Sequence, residues 1–566
     1  MNAIIIAVVG LGAFLVAYLL YARFLADRIF RLDPDAVTPA HEFSDDQDFV
    51  PTNKHVLWGH HFTSVAGAAP IVGPAIAVFW GWLPALLWVV LGTIFFAGAH
   101  DFGTLWISAR HQGRSIGSLT EDVVSRRSRT LFMIVIFLLL LMVNAVFAIV
   151  IARLFVQFPG SVVPVWFSLP LAMLIGWIIY RRKGKLLWPS IGALIALYVV
   201  IWFGSKMPVV LPKMLFGLPP AAIWVIVLFI YAWVASRLPV WLMLQPRDYI
   251  NSHQLIVGLG ILYVGLFVGH PSMAAPAWNP ATAGAPPLVP ILFITIACGA
   301  ISGFHGLVSS GTSSKQLDRE TDAKFVGYMG AIGEGALALG SILVVTAGLA
   351  ATRAEWFGTF YQSWSSASGG AASFFVKGLA HMAEYLGVPA PIGEVFASVI
   401  VVSFAATTMD TGVRLQRYII AELGDQYRIE ILKEPTVATT IAAGSCLLLA
   451  FGAHAPGGGV GSGGLVIWPL FGTTNQLLAA LSLIVLSVYL RKLGRSILPT
   501  IIPMIFLLVM TIWAMVESLG RWFLGDSPNY LMGVIGLIVL FAAVWMALEA
   551  WIALQHSVPG STAPEV

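Results

Sequence analysis

Apolar runs of membrane-spanning length follow one another along almost the whole chain, separated by short polar segments. Fifteen runs are expected to form helices: 3–22, 62–79, 83–108, 131–157, 163–180, 187–205, 220–246, 255–270, 288–308, 326–350, 393–413, 436–452, 466–490, 498–518 and 531–554. About 20 apolar residues cross a hydrocarbon core, and only a helix or a closed barrel satisfies its own backbone there. The pattern predicts an all-α polytopic membrane protein. Two connections are long. Segment 23–61 carries Asp45, Asp46 and Asp48, and segment 353–392 is rich in Ser and Gly with a short helix expected near Ala372–Tyr385. A glycine loop is expected at Gly457–Gly459 and Gly461–Gly464.

Two of the runs are expected to break. The second contains Gly67, Pro70, Gly73 and Pro74. Each proline removes an amide donor and crowds the preceding turn. Backbone opened at that depth needs protein or a polar cavity beside it. The seventh run has its own interruption at Ala235-Ser236-Arg237-Leu238-Pro239. These two runs lie five helices apart and point in opposite directions, which predicts two inverted five-helix halves of a secondary transporter. The expected organisation is a helix and cytoplasmic loop over 1–59 and a core over 60–420, with halves of about 60–205 and 220–420. A four-helix membrane extension over 421–566 completes it.

Charge sorts along this frame. Only 10% of the 566 residues are Asp, Glu, Lys or Arg. Of the 31 basic residues, 24 fall in alternate connections, five in the others, and Arg153 and Arg237 within runs. Basic connections stay cytoplasmic, which puts Met1 outside and Val566 inside. The net charge of +4 is therefore a topology signal, and nucleic acid is not an expected partner. Cys298 and Cys446 both lie in apolar runs and supply neither a disulfide framework nor a CxxC metal pair. The first run lacks a basic leader and a clear cleavage site, so it reads as a retained helix. No segment is long enough for a soluble catalytic or signalling domain.

Charged groups inside spans are costly and mark function. Asp101 is a candidate proton carrier, or a carboxylate tied to loop amides or Arg110. An imidazole ordinarily titrates near neutrality, so His60, His61 and His305 extend the proton reading. No tight His-x-x-x-His spacing favours a metal. Arg237 stands beside the seventh run's break, where its planar fork fits a carboxylate. Its alternative is a permanent partner, Glu334 or Asp410. Arg153, near an outer helix end, reads as a snorkelling cation. The substrate pocket is expected between the breaks, at Ser64, Gly67, Ala68, Ser236 and Arg237. The hydroxyls of Ser309, Ser310 and Thr312 suit a hard cation together with carbonyls near Ala66. The alternative is that they bond only their own backbone.

At Pro51-Thr52-Asn53-Lys54-His55-Val56-Leu57-Trp58-Gly59-His60-His61-Phe62 and through the Ala66–Pro74 break, the chain resembles the carbon starvation protein A family. The likeness continues at Asp101-Phe102, Leu238-Pro239-Val240-Trp241, Pro246-Arg247-Asp248-Tyr249 and Ala297-Cys298-Gly299-Ala300-Ile301-Ser302-Gly303-Phe304-His305, covering about 50–490. It implies a carrier of the bacterial inner membrane, related to the amino acid–polyamine–organocation superfamily, with a LeuT-like 5+5 inverted-repeat core. The implied activity is uptake of pyruvate, short peptides or amino acids during nutrient limitation. The implied coupling ion is H+, with Asp101, His61 and His305 as carriers; Na+ at the hydroxyl cluster is the alternative. No cofactor is expected, and the partners are a small-molecule substrate and the lipid bilayer, with oligomeric state open. A membrane-embedded nutrient sensor, or a membrane enzyme with a metal or quinone site, is the reading from a different class. The sequence shows no clustered nucleophile, base and metal at characteristic spacing.

Overall fold

The computed structural model describes residues 2–45, 48–182, 187–239, 241–280, 282, 284–453, 463–525 and 527–556. Met1, Asp46, Lys183, Lys185, Gly457–Gly459, Gly461 and Val566, which bore on the expectations above, lie outside them. Among the described residues the chain is helical and forms isolated bridges but no strand.

In chain order the principal helices are α1 (Ala3–Phe24), α2 (Lys54–Val65), α3 (Ala69–Ala77), α4 (Trp82–Arg110), α5 (Ile116–Val123) and α6 (Arg126–Gln157). Next come α7 (Val162–Arg182), α8 (Leu187–Lys206), α9 (Pro220–Arg237), α10 (Leu244–Gly269), α11 (Leu288–Thr295) and α12 (Gly303–Gly311). The remainder are α13 (Met329–Ala347), α14 (Trp364–Glu384), α15 (Ala390–Gln426), α16 (Pro435–Gly452), α17 (Gly464–Lys492), α18 (Leu498–Leu524) and α19 (Tyr530–His556).

Among the described residues, thirteen helices are long and apolar enough to cross a membrane, and α2 with α3, bent by 51°, makes fourteen if the pair is one span. The bend falls at Ala66–Ala68, where the sequence places it. Pro70 sits in the first turn of α3, where its missing amide costs nothing. The run expected over 288–308 is not one helix, because α11 and α12 are separated by non-helical backbone at 296–302.

This corrects the second break. The seventh run does not break in mid-span: α9 simply ends at Arg237, Pro239 prevents its continuation, and α10 starts at Leu244 as a separate crossing. The last carbonyls of α9, at Ala235 and Leu238, accept bonds from Arg414 of α15. The two interrupted segments are therefore α2/α3 and α11/α12.

The spanning stretch of α17 is wholly buried and packs on α6, α12 and α18. Beside it, α6 and α15 lie along one another. The connection before α15 holds α14, which is longer than expected at its start and is opened by a Ser363/Ser366 capping box. Tyr361, just before it, donates to the carbonyl of Ala75 and pins this connection to α3.

Candidate functional site

The two interruptions meet. A Cβ on Gly73 of α3 would lie 2.5 Å from the carbonyl oxygen of Thr295, at the end of α11. Gly299, in the second interruption, has φ +92° and packs against Pro70. That conformation is open to glycine and strained for other residues. Several carbonyls in and beside this stretch accept from side chains. Trp88 of α4 donates to Ile296 (3.1 Å) and Thr93 to Gly299 (3.1 Å). From α17, Trp468 donates to Thr295 (3.2 Å) and Gln476 to Phe293 (2.5 Å). Asn475 accepts from the Phe304 amide (3.0 Å) and donates to Ser302 (3.0 Å), capping α12. Unwound backbone persists here because protein groups replace the helical bonds.

Beside this junction lies a chain of titratable groups. Asp101 of α4 has Oδ1 at 2.7 Å from His100 Nδ1 and Oδ2 at 2.8 Å from His305 Nδ1 on α12. The other ring nitrogen of His305 stands 3.2 Å from Oε2 of Glu334 on α13. All four residues are buried, and no lysine or arginine pairs with either carboxylate among the described residues. His61 of α2 joins the same layer, with Nδ1 at 2.8 Å from Ser313 Oγ, just past α12. Two carboxylates around one imidazole form a proton-dependent unit. With the ring protonated, Asp101 receives one N–H and the other faces Glu334 across 3.2 Å; with it neutral, one of these protons is gone. Occupancy by a proton thus changes the bonding between α4, α12 and α13.

The structure brings together His61, Asp101 and His305 as a layer, and it leaves other expected residues apart. Asp101 does not pair with Arg110, which binds Glu320 instead (2.5 Å). Ser310 and Thr312 donate to carbonyls of their own helix at Gly306 and Val308, and Ser310 also accepts from the Ile116 amide. Both hydroxyls are thus tied to backbone, Ser310 as donor and acceptor and Thr312 as donor only. Ser309 is buried with its hydroxyl unpartnered. Ser64, Gly67 and Ala68 line the α2/α3 bend, where a Cβ on Gly67 would meet Thr408 and Phe147.

Arg237 and Ser236 are not in that pocket. Arg237 is exposed at the end of α9, donating to Thr436 (2.5 Å) and lying over the Trp233 ring, while Ser236 bonds the Trp233 carbonyl. Neither Glu334 nor Asp410 is its partner. Asp410 instead holds Arg247, at 2.5 Å. Arg153 is half-buried on α6, facing Val72 and helix α14. Sequence reasoning missed Glu334 as a site group and passed over Arg247. Glu334 carried the signal of a carboxylate inside an apolar run. Arg247 did not, because Pro246-Arg247-Asp248 reads as a connection.

Interrupted helices meeting inside a helical bundle, with proton-accepting groups buried beside them, are the build of a secondary membrane transporter. The profile described as carbon starvation protein CstA matches residues 2–355 and 351–514, and the chain belongs to that family. It is 31% identical to the peptide transporter CstA of Campylobacter jejuni, over 92% of this chain and 80% of that protein. It is 29% identical to the pyruvate/proton symporter BtsT of Escherichia coli, over 98% of this chain and 92% of that protein. The E. coli peptide transporter CstA is 30% identical, over 96% and 84%. Among solved structures, MhsT in complex with L-phenylalanine aligns at 14% identity over 89% of this chain and 99% of that chain, with a TM-score of 0.43.

Proposed function

We propose that this protein is a proton-coupled secondary transporter that imports small solutes bearing a carboxylate, the class to which pyruvate, amino acids and short peptides belong. The observation that carries the reading is the Asp101–His305–Glu334 chain, buried where an interrupted helix meets α4 and α13. A proton entering it from outside lowers the negative charge of a unit that is costly to bury charged, and so favours a rearranged bundle. Loss of the proton to the inside restores the first arrangement. Relatives named as a pyruvate/proton symporter and as peptide transporters support both the solute class and the ion.

The same reading places the chain in a bacterial inner membrane with its N-terminus outside, from the sorting of basic residues. It takes the segment 288–311 as a fifteenth, discontinuous crossing. The halves then become 54–269 and 288–492, in place of 60–205 and 220–420, with α7 and α8 an added hairpin. An added pair of crossings leaves the two interrupted segments pointing in opposite directions, as inverted halves require. Proteoliposome uptake tests the proposal. Pyruvate, alanine or dialanine should accumulate when an inward proton gradient is imposed without sodium, and a protonophore should collapse it. Uptake that needs sodium and ignores the proton gradient would reject the coupling.

A further inference from the structure

A second buried polar set lies outside the Asp101 chain. Successive residues of a helix point about 100° apart. Thus His61 turns toward Ser313, and its neighbour His60 turns toward Asp248 on α10, at 3.3 Å. Next to Asp248, Arg247 is 1% exposed and donates to Asp410 of α15 (2.5 Å) and to the Tyr231 hydroxyl of α9 (2.5 Å). Tyr231 donates in turn to the same Asp410 oxygen (2.5 Å). The set is under-satisfied. Arg247 Nε, Asp410 Oδ1 and both oxygens of Asp248 are buried without a hydrogen-bond partner.

The polar character continues from there toward the α2/α3 bend. Arg247, Asn251 and Gln254 recur at helical spacing on one face of α10, and Asp410, Thr407 and Ser403 do so on α15. Asn251 donates to Thr407 (2.8 Å). The Gln254 amide and the Ser403 hydroxyl are buried and unpartnered. Thr408 then touches Gly67 at the bend itself. Stability does not account for such a stripe. Each unsatisfied buried group costs about 1–3 kcal/mol, and a well-packed apolar seam avoids that cost.

We infer that the seam between α10 and α15 is the inner passage for the solute, closed in this structure, and that Arg247 is its carboxylate receptor, with Asp410 and Tyr231 as the internal group the solute's carboxylate displaces. The inference rests on the transport reading above. Asp410 supplies the chemistry that an incoming acid offers, so guanidinium and tyrosine can pass from one carboxylate to the other without being left unpaired.

Binding to purified protein in detergent tests it, with pyruvate, alanine and dialanine each compared with its amide. Removing the internal competitor raises the fraction of receptive protein. Asp410→Asn should therefore bind the transported acid roughly tenfold tighter than wild type, and Tyr231→Phe should shift the same way by less. Arg247→Gln should lose acid binding, and the amides should bind none of the variants. Acid binding that survives in a folded Arg247→Gln protein overturns the inference. So does binding weakened in Asp410→Asn, which marks the pair as structural only. Where Arg247→Gln gives no melting transition, Tyr231→Phe decides: tighter binding supports the receptor role, and equal or weaker binding rejects it. None of these outcomes bears on proton-driven uptake by the wild type, so the transport reading stands or falls separately.

Discussion

At the scale of single residues, the site depends on Asp101 accepting from two imidazoles at once. Asp101→Asn keeps the shape and removes the charge. Concentrative uptake driven by a proton gradient should fall to background, while counterflow exchange between equal internal and external solute pools persists. Full accumulation by this variant would take Asp101 out of the coupling. Arg237→Leu carries the opposite expectation. The side chain is exposed and bonded only at the rim, so stability should change by no more than about 0.5 kcal/mol. Acid binding in detergent should be unchanged, and a clear loss would return Arg237 to the pocket. The sequence showed that an arginine should matter, yet it pointed to the wrong one. Arg237 seemed intramembrane because apolar residues surround it, whereas Arg247 is buried through contacts with Tyr231 and Asp410, 16 and 163 residues away.

At the scale of elements, the α2/α3 bend was legible because two prolines and two glycines crowd eight residues. The interruption at 296–302 has no proline, and its signal was only a run of small residues around Gly299. What holds it open are side chains of α4 and α17, distant in sequence and invisible to local pattern. The fit is close: a Cβ on Gly303 would stand 2.4 Å from the Asn475 carbonyl oxygen and 2.6 Å from the Ala479 nitrogen. Those are backbone atoms that cannot turn aside. Gly303→Ala should cost about 1–3 kcal/mol, seen as a lowered melting temperature in detergent. Gly311→Ala, with nothing within 4 Å, serves as the control and should melt like wild type. Equal melting of both variants would show that α12 has room to move off α17.

At the scale of the whole molecule, hydropathy and basic-residue sorting made the polytopic helical class legible. The pairing of halves proposed above was not, since an even insertion such as α7 and α8 would leave orientation intact. Topology has a direct check. Asp122→Cys should react with an impermeant thiol reagent only after the cells are opened, and Ser365→Cys should react in intact cells. Reversed labelling would invert the proposed orientation. Both native cysteines are buried and contribute little background. One contact also bears on how the protein is made. A chain inserted from its N-terminus lodges Phe293 in the membrane 183 residues before the amide that binds its carbonyl, Gln476, has been synthesised. For that interval the nascent protein carries an open polar wound in its middle, which water or the insertion machinery must dress. The late-emerging helix α17 is therefore the one that closes this junction.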